Sequence, residues 1–178
     1  MRLRYCFLPM LMIGGCASSS IAPIQDVKLS EPEVVRSLEL RTRYGLPIPR
    51  SSTIIYIDSV AVHHTYNEAS TIIWREPSGV WRWSQASEEG PGGLLPVERK
   101  LEYFKEAELS RAQGDMLDRI IRNPGLYSDK ITTSGHIGIG APYHVMSIVS
   151  AHGRATLKWS ARLRGAGGDI ADIALGHN

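Results

Sequence analysis

The distribution of cysteines limits most strongly how this chain folds. Both cysteines, Cys6 and Cys16, lie at the start of the 178-residue sequence, and no cysteine follows them. A domain formed by the rest of the chain therefore has no disulfide, no thiolate metal site and no cysteine nucleophile. With 43% hydrophobic and 21% charged residues, such a domain has enough apolar side chains to hold itself together by packing.

The first fifteen residues have the three parts of an export signal. Arg2 and Arg4 supply a positive start, an apolar stretch covers residues 5–13, and two glycines follow it. The apolar stretch is shorter than the roughly 18 to 20 residues that a helix needs to cross a bilayer. No later segment of the sequence is apolar over such a length.

Ile13, Gly14, Gly15 and Cys16 resemble the lipobox of bacterial lipoproteins, in which an aliphatic residue and two small residues precede a cysteine. Ile13 stands where leucine is more usual. The resemblance implies cleavage before Cys16, diacylglycerol on its sulfur and acylation of its new amino group. Several acyl chains give stable membrane attachment where one chain is marginal. Ala17, in place of aspartate, resembles lipoproteins sent to the outer membrane of Gram-negative bacteria.

The resemblance implies a protein anchored by lipid in the bacterial cell envelope, on the periplasmic face of the outer membrane. An ordinary secretory signal cleaved after Ser20-Ile21-Ala22 is the alternative, although Pro23 would then follow the cut. We expect three regions. Residues 1–15 form the lipoprotein signal, residues 16–30 a lipidated flexible tether, and residues 31–178 a single globular domain.

The net charge excludes one class of partner. Arg2 and Arg4 lie in the signal, and their removal leaves 18 basic against 18 acidic residues. A neutral domain attracts phosphate backbones weakly, and no basic stripe interleaved with aromatic residues is present. We therefore expect no nucleic-acid partner.

Patterns in the first part of the domain predict a helix followed by strands. Ser30-Glu31-Pro32-Glu33 has the form of a capping box and predicts the start of a helix. The alternation of apolar and polar residues over residues 34–44 predicts that this helix turns into a strand. Residues 53–65 are rich in isoleucine, valine and tyrosine and predict one or two strands.

The next segment predicts a hairpin and then becomes ambiguous. Residues 71–76 and 80–85 flank Pro77-Ser78-Gly79, which is typical of a turn with glycine at the position that needs positive φ. Residues 88–94 predict an irregular loop because of their glycines and proline. Residues 97–105 fit a strand or a helix equally well.

The clearest helix is predicted from Ser110 to Arg122. Ser110 and Gln113 have the spacing of a capping box, and Asn123 and Pro124 stop the helix. Its apolar stripe consists of Met116, Leu117, Ile120 and Ile121.

Residues 143–151 and 154–161 predict a second hairpin around His152-Gly153. In the expected register one face is apolar, with Met146 opposite Trp159 and Ile148 opposite Leu157. A short helical run follows over Ile170–Leu175. Together these elements predict an α+β domain, an antiparallel sheet of about five to seven strands with one main helix packed on it.

The histidines are the first candidates for chemistry. His63 and His64 are adjacent on a predicted strand, so their side chains point to opposite faces and do not share a metal readily. His136, His144 and His152 fall in a loop, a strand and a turn, with no spacing that requires a common site. We therefore predict no metal site and no cofactor, and we assign no catalytic residue.

A glycine-rich segment from Arg162 to Asp169 precedes the last helical run. Its backbone amides, together with Arg162 and Arg164, are suited to binding an anion. The alternative is a plain turn in which Asp169 is the helix N-cap. The segment Gly135–Gly140 is a weaker candidate of the same kind.

An aromatic group is the remaining candidate for binding. If exposed, it is a platform for sugar rings or for a protein partner, and if buried, it is core. Its members are Trp74, Trp81, Trp83 and Tyr66, with Arg75 and Arg82 nearby.

Two functions follow as hypotheses. The first is a non-enzymatic envelope lipoprotein that binds an envelope protein or a glycan, or supports an assembly, and it predicts an exposed apolar or aromatic patch. The alternative is a hydrolase of envelope material with a histidine-centred site, for example His64 beside Glu68.

Overall fold

The computed structural model describes residues 32–62, 65–91, 99–127, 142–160 and 163–176. Its elements are α1 (Pro32–Arg43), β1 (Ile54–Val62), β2 (Thr65–Arg75), β3 (Trp81–Pro91), β4 (Lys100–Glu108), α2 (Arg111–Ile121), a 3-10 turn (Pro124–Tyr127), β5 (Tyr143–Ser150), β6 (Gly153–Ser160) and α3 (Gly165–Leu175). The six strands form one antiparallel sheet in the order β4-β3-β2-β1-β5-β6. This is the predicted α+β domain, with three helices where the sequence indicated one main helix.

The predicted hairpin around Pro77-Ser78-Gly79 joins β2 to β3. Gly79 has a φ of 90°, a backbone conformation that glycine adopts at little steric cost. β3 continues to Pro91, so the irregular loop expected over residues 88–94 is wrong for its first four residues; the others lie outside the described residues. These residues remain in the strand because β2 pairs with all four of them and β4 also pairs with Glu88 and Glu89. The ambiguous segment that follows is a strand from Lys100 onward.

α1 stays helical as far as Arg43, so the predicted change from helix to strand is wrong. The helix buries Ser37, Leu40 and Arg41, which have the i, i+3, i+4 spacing of one helical face. Two of these three residues are polar, and Leu38 beside them is only half-buried. The buried positions follow the ordinary helical period. The apolar residues do not, because two of the buried residues are polar, and this is why the sequence pattern resembled a strand.

α2 forms as predicted, with its capping box. The Ser110 side chain accepts the amide of Gln113 at 3.4 Å, and the Gln113 side chain accepts the amide of Ser110 at 3.0 Å. The predicted stripe faces the sheet, with Leu117, Ile120 and Ile121 buried and Met116 partly buried. Within the described ranges, no helix is both long and apolar enough to cross a membrane.

The β5–β6 hairpin forms in a register two residues away from the predicted one. Ser150 pairs with Gly153, so the turn consists of Ala151 and His152. Gly153 has a φ of 145° and lies against Tyr127, where a Cβ atom would approach the ring to 3.0 Å. A shift of two residues leaves every side chain on its predicted face. The observed pairs are Met146 with Leu157, Ile148 with Ala155 and His144 with Trp159.

Two apolar clusters lie on opposite faces of the sheet. The larger cluster contains residues of α2 and α3 together with alternate strand residues, among them Ile55, Ile57, Ile73, Met146 and Leu157. The smaller cluster lies beneath α1 and consists of Ile54, Tyr56, Ile72, Trp74 and Val149, with Leu38 packed against it. The remainder of the face beneath α1 buries polar and charged side chains.

Candidate functional site

The three tryptophans proposed for binding are core residues. Trp74, Trp81 and Trp83 are 8%, 3% and 3% exposed. The Trp81 indole donates to Asp118 at 3.1 Å, and the Trp83 indole donates to the Ala174 carbonyl at 2.7 Å. Of the two interpretations of the aromatic group, an exposed platform and core, the burial of these three rings agrees with core.

The glycine-rich segment does not form the expected loop. α3 begins at Gly165, so the glycines form its first turn and Asp169 is an exposed helix residue rather than the N-cap. A Cβ atom on Gly168 would lie 2.5 Å from the carbonyl oxygen of Leu163, so this glycine allows close packing. Arg164 occupies the N-cap position without a side-chain capping bond. Arg162 and the Gly135–Gly140 segment lie outside the described residues.

The described histidines do not meet. His144 begins the β5–β6 hairpin and His152 lies in its turn, so they occupy opposite ends of the hairpin. His63, His64 and His136 lie outside the described residues, so the pairing of His64 with Glu68 that would support the hydrolase hypothesis stays untested. No group of three or more histidine, cysteine, aspartate or glutamate side chains suited to a metal occurs in the described part of the chain.

His144 instead contacts a serine. Its Nδ1 atom lies 2.7 Å from the Ser59 hydroxyl, on the register partner of His144 in β1. The imidazole stacks on Trp159 with ring centroids 4.9 Å apart and an angle of 21° between the planes. Burial lowers the pKa of His144 below its ordinary value, which favours the neutral imidazole. A neutral imidazole in contact with a hydroxyl is the usual pairing of a general base with a nucleophile.

Two buried glutamates face each other beneath α1. Glu68 on β2 and Glu88 on β3 are register partners and are 4% and 0% exposed. Like charges directly opposite each other destabilise a sheet, and buried charges need partners. Arg99 meets both, at 3.1 Å from Glu88 and 3.8 Å from Glu68, and Arg43 forms an ion pair with Glu88.

Tyr66 completes this cluster. Its hydroxyl donates to Glu68, and the Arg99 guanidinium lies 4.2 Å from the centre of its ring. Burial, followed by the bond to Glu68, raises the pKa of Tyr66 to about 12. Burial alone would raise the pKa of Glu88, but the hydrogen bond from Arg43 and the charges nearby bring it below its usual value. The lowered pKa keeps Glu88 ionised, and both glutamates are paired with arginines within the domain. This arrangement suits a structural network.

Arg41 joins α1 to the sheet. It is fully buried and donates to the Ser70 hydroxyl, to the carbonyls of Ser70 and Ser84, each at 3.0 Å, and to the carbonyl of Pro47 at 3.1 Å. Burial lowers the pKa of Arg41 to about 10, so the side chain stays charged at neutral pH. All of these acceptors are neutral oxygens. Because Ser70 and Ser84 belong to the sheet, Arg41 holds α1 against it, and we call this set of hydrogen bonds the clamp.

Asp58 lies beneath the same helix and has fewer partners. It is 4% exposed, and its Oδ1 atom has no hydrogen-bond partner among the described residues. Burial raises the pKa of Asp58 to about 7, a change that a bond to Ser37 opposes and the charge of Glu68 increases. Asp58 is therefore a buried carboxyl group whose pKa lies near neutrality.

An open groove lies at one edge of the sheet. The groove has a volume of about 520 Å³ and is lined by Trp83 and by residues 104–109. β4 is the outermost strand on this side, and β3 is its neighbour in the sheet order. The lining is mixed. Trp83, Phe104, Ala107 and Leu109 are apolar, whereas Lys105, Glu106 and Glu108 are charged and exposed.

The hydrogen-bond pattern shows which β4 backbone groups face outward. The amide of Leu109 donates to the Trp81 carbonyl at 2.9 Å, and the pairing of Ala107 with Trp83 continues the same ladder. In an antiparallel pair, alternate residues bond to the neighbouring strand and the residues between them point away from it. The N–H and C=O groups of Phe104, Glu106 and Glu108 therefore point to the free edge.

A bulge limits how much of this edge is regular. The β3–β4 register shifts between Ser87 and Glu88, which places an extra residue of β4 near Glu102. Bulges and charged side chains are the usual means by which proteins protect a free edge from indiscriminate pairing. The regular part of the edge, residues 103–108, coincides with the groove. Ile48 and Tyr143 are the exposed large hydrophobic residues elsewhere in the described part, so a broad apolar patch is missing there.

Comparison with protein-family models, with curated proteins and with solved structures finds no match to this chain.

Sequence reasoning missed both the groove and the buried charges. Every second residue of β2 lies on the same face of the sheet, so Glu68 shares the buried face of Ile72. Tyr66 and Ser70 belong to the same set. That signal was available. The opposition of Glu68 to Glu88 depends on the pairing of strands, which the sequence alone does not specify.

Proposed function

We propose that this chain is a lipid-anchored protein of the bacterial envelope that binds an extended segment of a partner polypeptide along the β4 edge. The resemblance of residues 13–16 to a lipobox supports the anchor at Cys16. The coincidence of the groove with the outward-facing backbone groups of Phe104, Glu106 and Glu108 carries the binding proposal.

Strand addition uses both features of this edge. Main-chain hydrogen bonds to an exposed edge supply affinity, and pockets for alternate side chains supply specificity. Three β4 residues offer free backbone groups, and the groove beside them is lined in part by apolar residues, Trp83 among them. Its volume of about 520 Å³ lies within the range of about 300 to 1,000 Å³ typical of binding pockets.

Replacement of Glu106 tests this proposal. In Glu106→Pro the outward N–H is lost, whereas the bonds between β4 and β3 are kept because they come from the residues on either side. Glu106→Ala is the matched control, since it removes the same side chain and its 3.1 Å contact with Arg82 but keeps the N–H. Glu108→Pro and Glu108→Ala form a second pair.

A photoreactive residue in place of Lys105, in the full chain expressed in a Gram-negative host, reports contact in the cell. We expect a defined partner segment to crosslink in the parent and in the alanine variants, and the yield to fall at least tenfold in the proline variants with unchanged melting temperature. Equal yields in the proline and alanine variants would refute strand addition, and so would an absence of crosslinks from this position.

A second candidate function, ester hydrolysis, is favoured by the 2.7 Å contact between Ser59 and His144. In such a reaction the Ser59 oxygen attacks the acyl carbon and His144 accepts its proton. The proton then passes to the leaving alkoxide, and water releases the acyl group from Ser59. A fluorophosphonate probe tests this directly, because it labels activated serines.

We expect label on Ser59, mapped by mass spectrometry, with a rate at least 100-fold lower in His144→Asn. Ser78→Ala is the control, since Ser78 is exposed in the β2–β3 turn and contacts no histidine of the described part of the chain. A folded protein that takes no label at Ser59 has no such activity.

A further inference from the structure

The side chains along the β4 edge differ between the two faces of the sheet. Phe104, Glu106 and Glu108 lie opposite Ala86, Ser84 and Arg82, on the α1 side. Ala107 lies opposite Trp83, on the side of α2 and α3. A strand added to this edge therefore meets two carboxylates on one face and a small side chain beside an indole on the other.

The two glutamates are not equally available. Glu106 already contacts Arg82 at 3.1 Å, whereas the exposed Glu108 has no ion-pair partner within the described ranges. Arg82 in turn lies 3.6 Å from Glu76, so its charge is shared between two carboxylates. The α1 side of the edge is therefore acidic overall, with Glu108 as its least neutralised carboxylate.

On the other face the groove lacks a large side chain at its centre. Ala107 contributes one methyl group, and Trp83 beneath it is 3% exposed. A large apolar residue opposite Ala107 would occupy the groove between Lys105 and Leu109, both of which line it. Such a side chain would cover Ala107, which is exposed, and contact with its methyl group is favourable.

We propose that the partner segment at this edge has the pattern basic, large apolar, basic, with its basic residues opposite Glu106 and Glu108 and its apolar residue opposite Ala107. Side chains directly opposite on neighbouring strands share a face, so this pattern satisfies both faces at once. The inference rests on the proposed function and names the chemistry of the partner at the same site.

Two designed peptides test the pattern. One alternates lysine with isoleucine over seven residues, and the other has glutamate in place of each lysine. Binding to the full chain in detergent micelles is measured by fluorescence anisotropy at low and at high salt. We expect the lysine peptide to bind at least tenfold more tightly at low salt, and the difference to shrink at high salt because the charges are exposed.

Charge reversal identifies the residue responsible. In Glu108→Lys we expect the preference for the lysine peptide to be lost or reversed. Asp115→Lys, an equal change of charge at an exposed position of α2, is expected to leave the preference intact. Equal binding of both peptides, or an unchanged preference in Glu108→Lys, would overturn the basic pattern. If the peptides show no preference but the crosslinks from position 105 persist, the basic pattern is wrong and strand addition still holds. If the crosslinks and peptide binding are both absent, strand addition and the basic pattern are both wrong.

Discussion

Asp58 makes the stability of this domain depend on pH in an unusual direction. The carboxyl group is 4% exposed, and burial raises its pKa to about 7, against about 3.9 in an unfolded chain. Between these values the folded state binds the proton that the unfolded state has released, so this group makes stability fall as pH rises from about 4 to about 7. Above that range both states are ionised, and its contribution is constant.

The size of the effect follows from the difference in pKa. A difference of about three units, at 1.36 kcal/mol per unit, corresponds to about 4 kcal/mol between acidic and alkaline pH. The side-chain amide introduced by Asp58→Asn does not titrate, and its shape is similar to that of the protonated acid. We therefore expect the free energy of unfolding of the variant, relative to the parent, to rise by several kcal/mol between pH 4.5 and pH 8.

Urea unfolding at a series of pH values measures this difference, because other titrating groups are common to both proteins and cancel. Asp169→Asn is the control, since Asp169 is exposed on α3 and we expect it to leave the pH dependence of the parent unchanged. A parallel pH dependence in Asp58→Asn and the parent would refute the assignment of a raised pKa to a buried Asp58.

Three further predictions concern the clamp, the helix packing and the anchor. Arg41→Met removes the hydrogen bonds from a buried guanidinium to the carbonyls of Ser70 and Ser84, so we expect a loss of about 1.5 to 3 kcal/mol in urea unfolding; a change below about 0.5 kcal/mol would argue against the clamp. Gly168→Ala places a Cβ atom 2.5 Å from a backbone oxygen, and we expect a loss of about 1 to 3 kcal/mol, whereas an unchanged melting temperature would contradict this packing. Cys16→Ser is expected to abolish labelling by a fatty acid analogue and to release the protein from membranes; labelling that persists would refute the lipobox assignment.

The elements that could be predicted are those specified by neighbouring residues. The turn at Pro77-Ser78-Gly79 and the capping box of Ser110 with Gln113 act over three or four residues, and both are present in the structure. α1 was harder because its buried face contains Arg41, whose partners lie on β2 and β3. A charged residue on a buried face hides the helical period from a hydrophobic pattern.

The candidate sites were harder to predict because they are formed by residues far apart in the sequence. Arg43 and Glu88 are 45 residues apart in sequence, and Ser59 and His144 are 85 apart. These pairs meet because β5 inserts next to β1 in the sheet order, and because α1 crosses the face of β2 and β3. The groove likewise exists because β4 is at the edge, a property of the strand order that no local motif specifies.

Residue-resolved amide hydrogen exchange shows directly whether a strand pairs with the β4 edge. The outward N–H groups of Phe104, Glu106 and Glu108 exchange with solvent unless a strand pairs with them, whereas those of Lys105 and Ala107 are already bonded to β3. On addition of the lysine–isoleucine peptide or a crosslinked partner segment, we predict slower exchange at outward-facing amides and little change at the two between them. Slower exchange at all positions of β4 alike, or only outside residues 104–108, would contradict binding by strand addition at this edge.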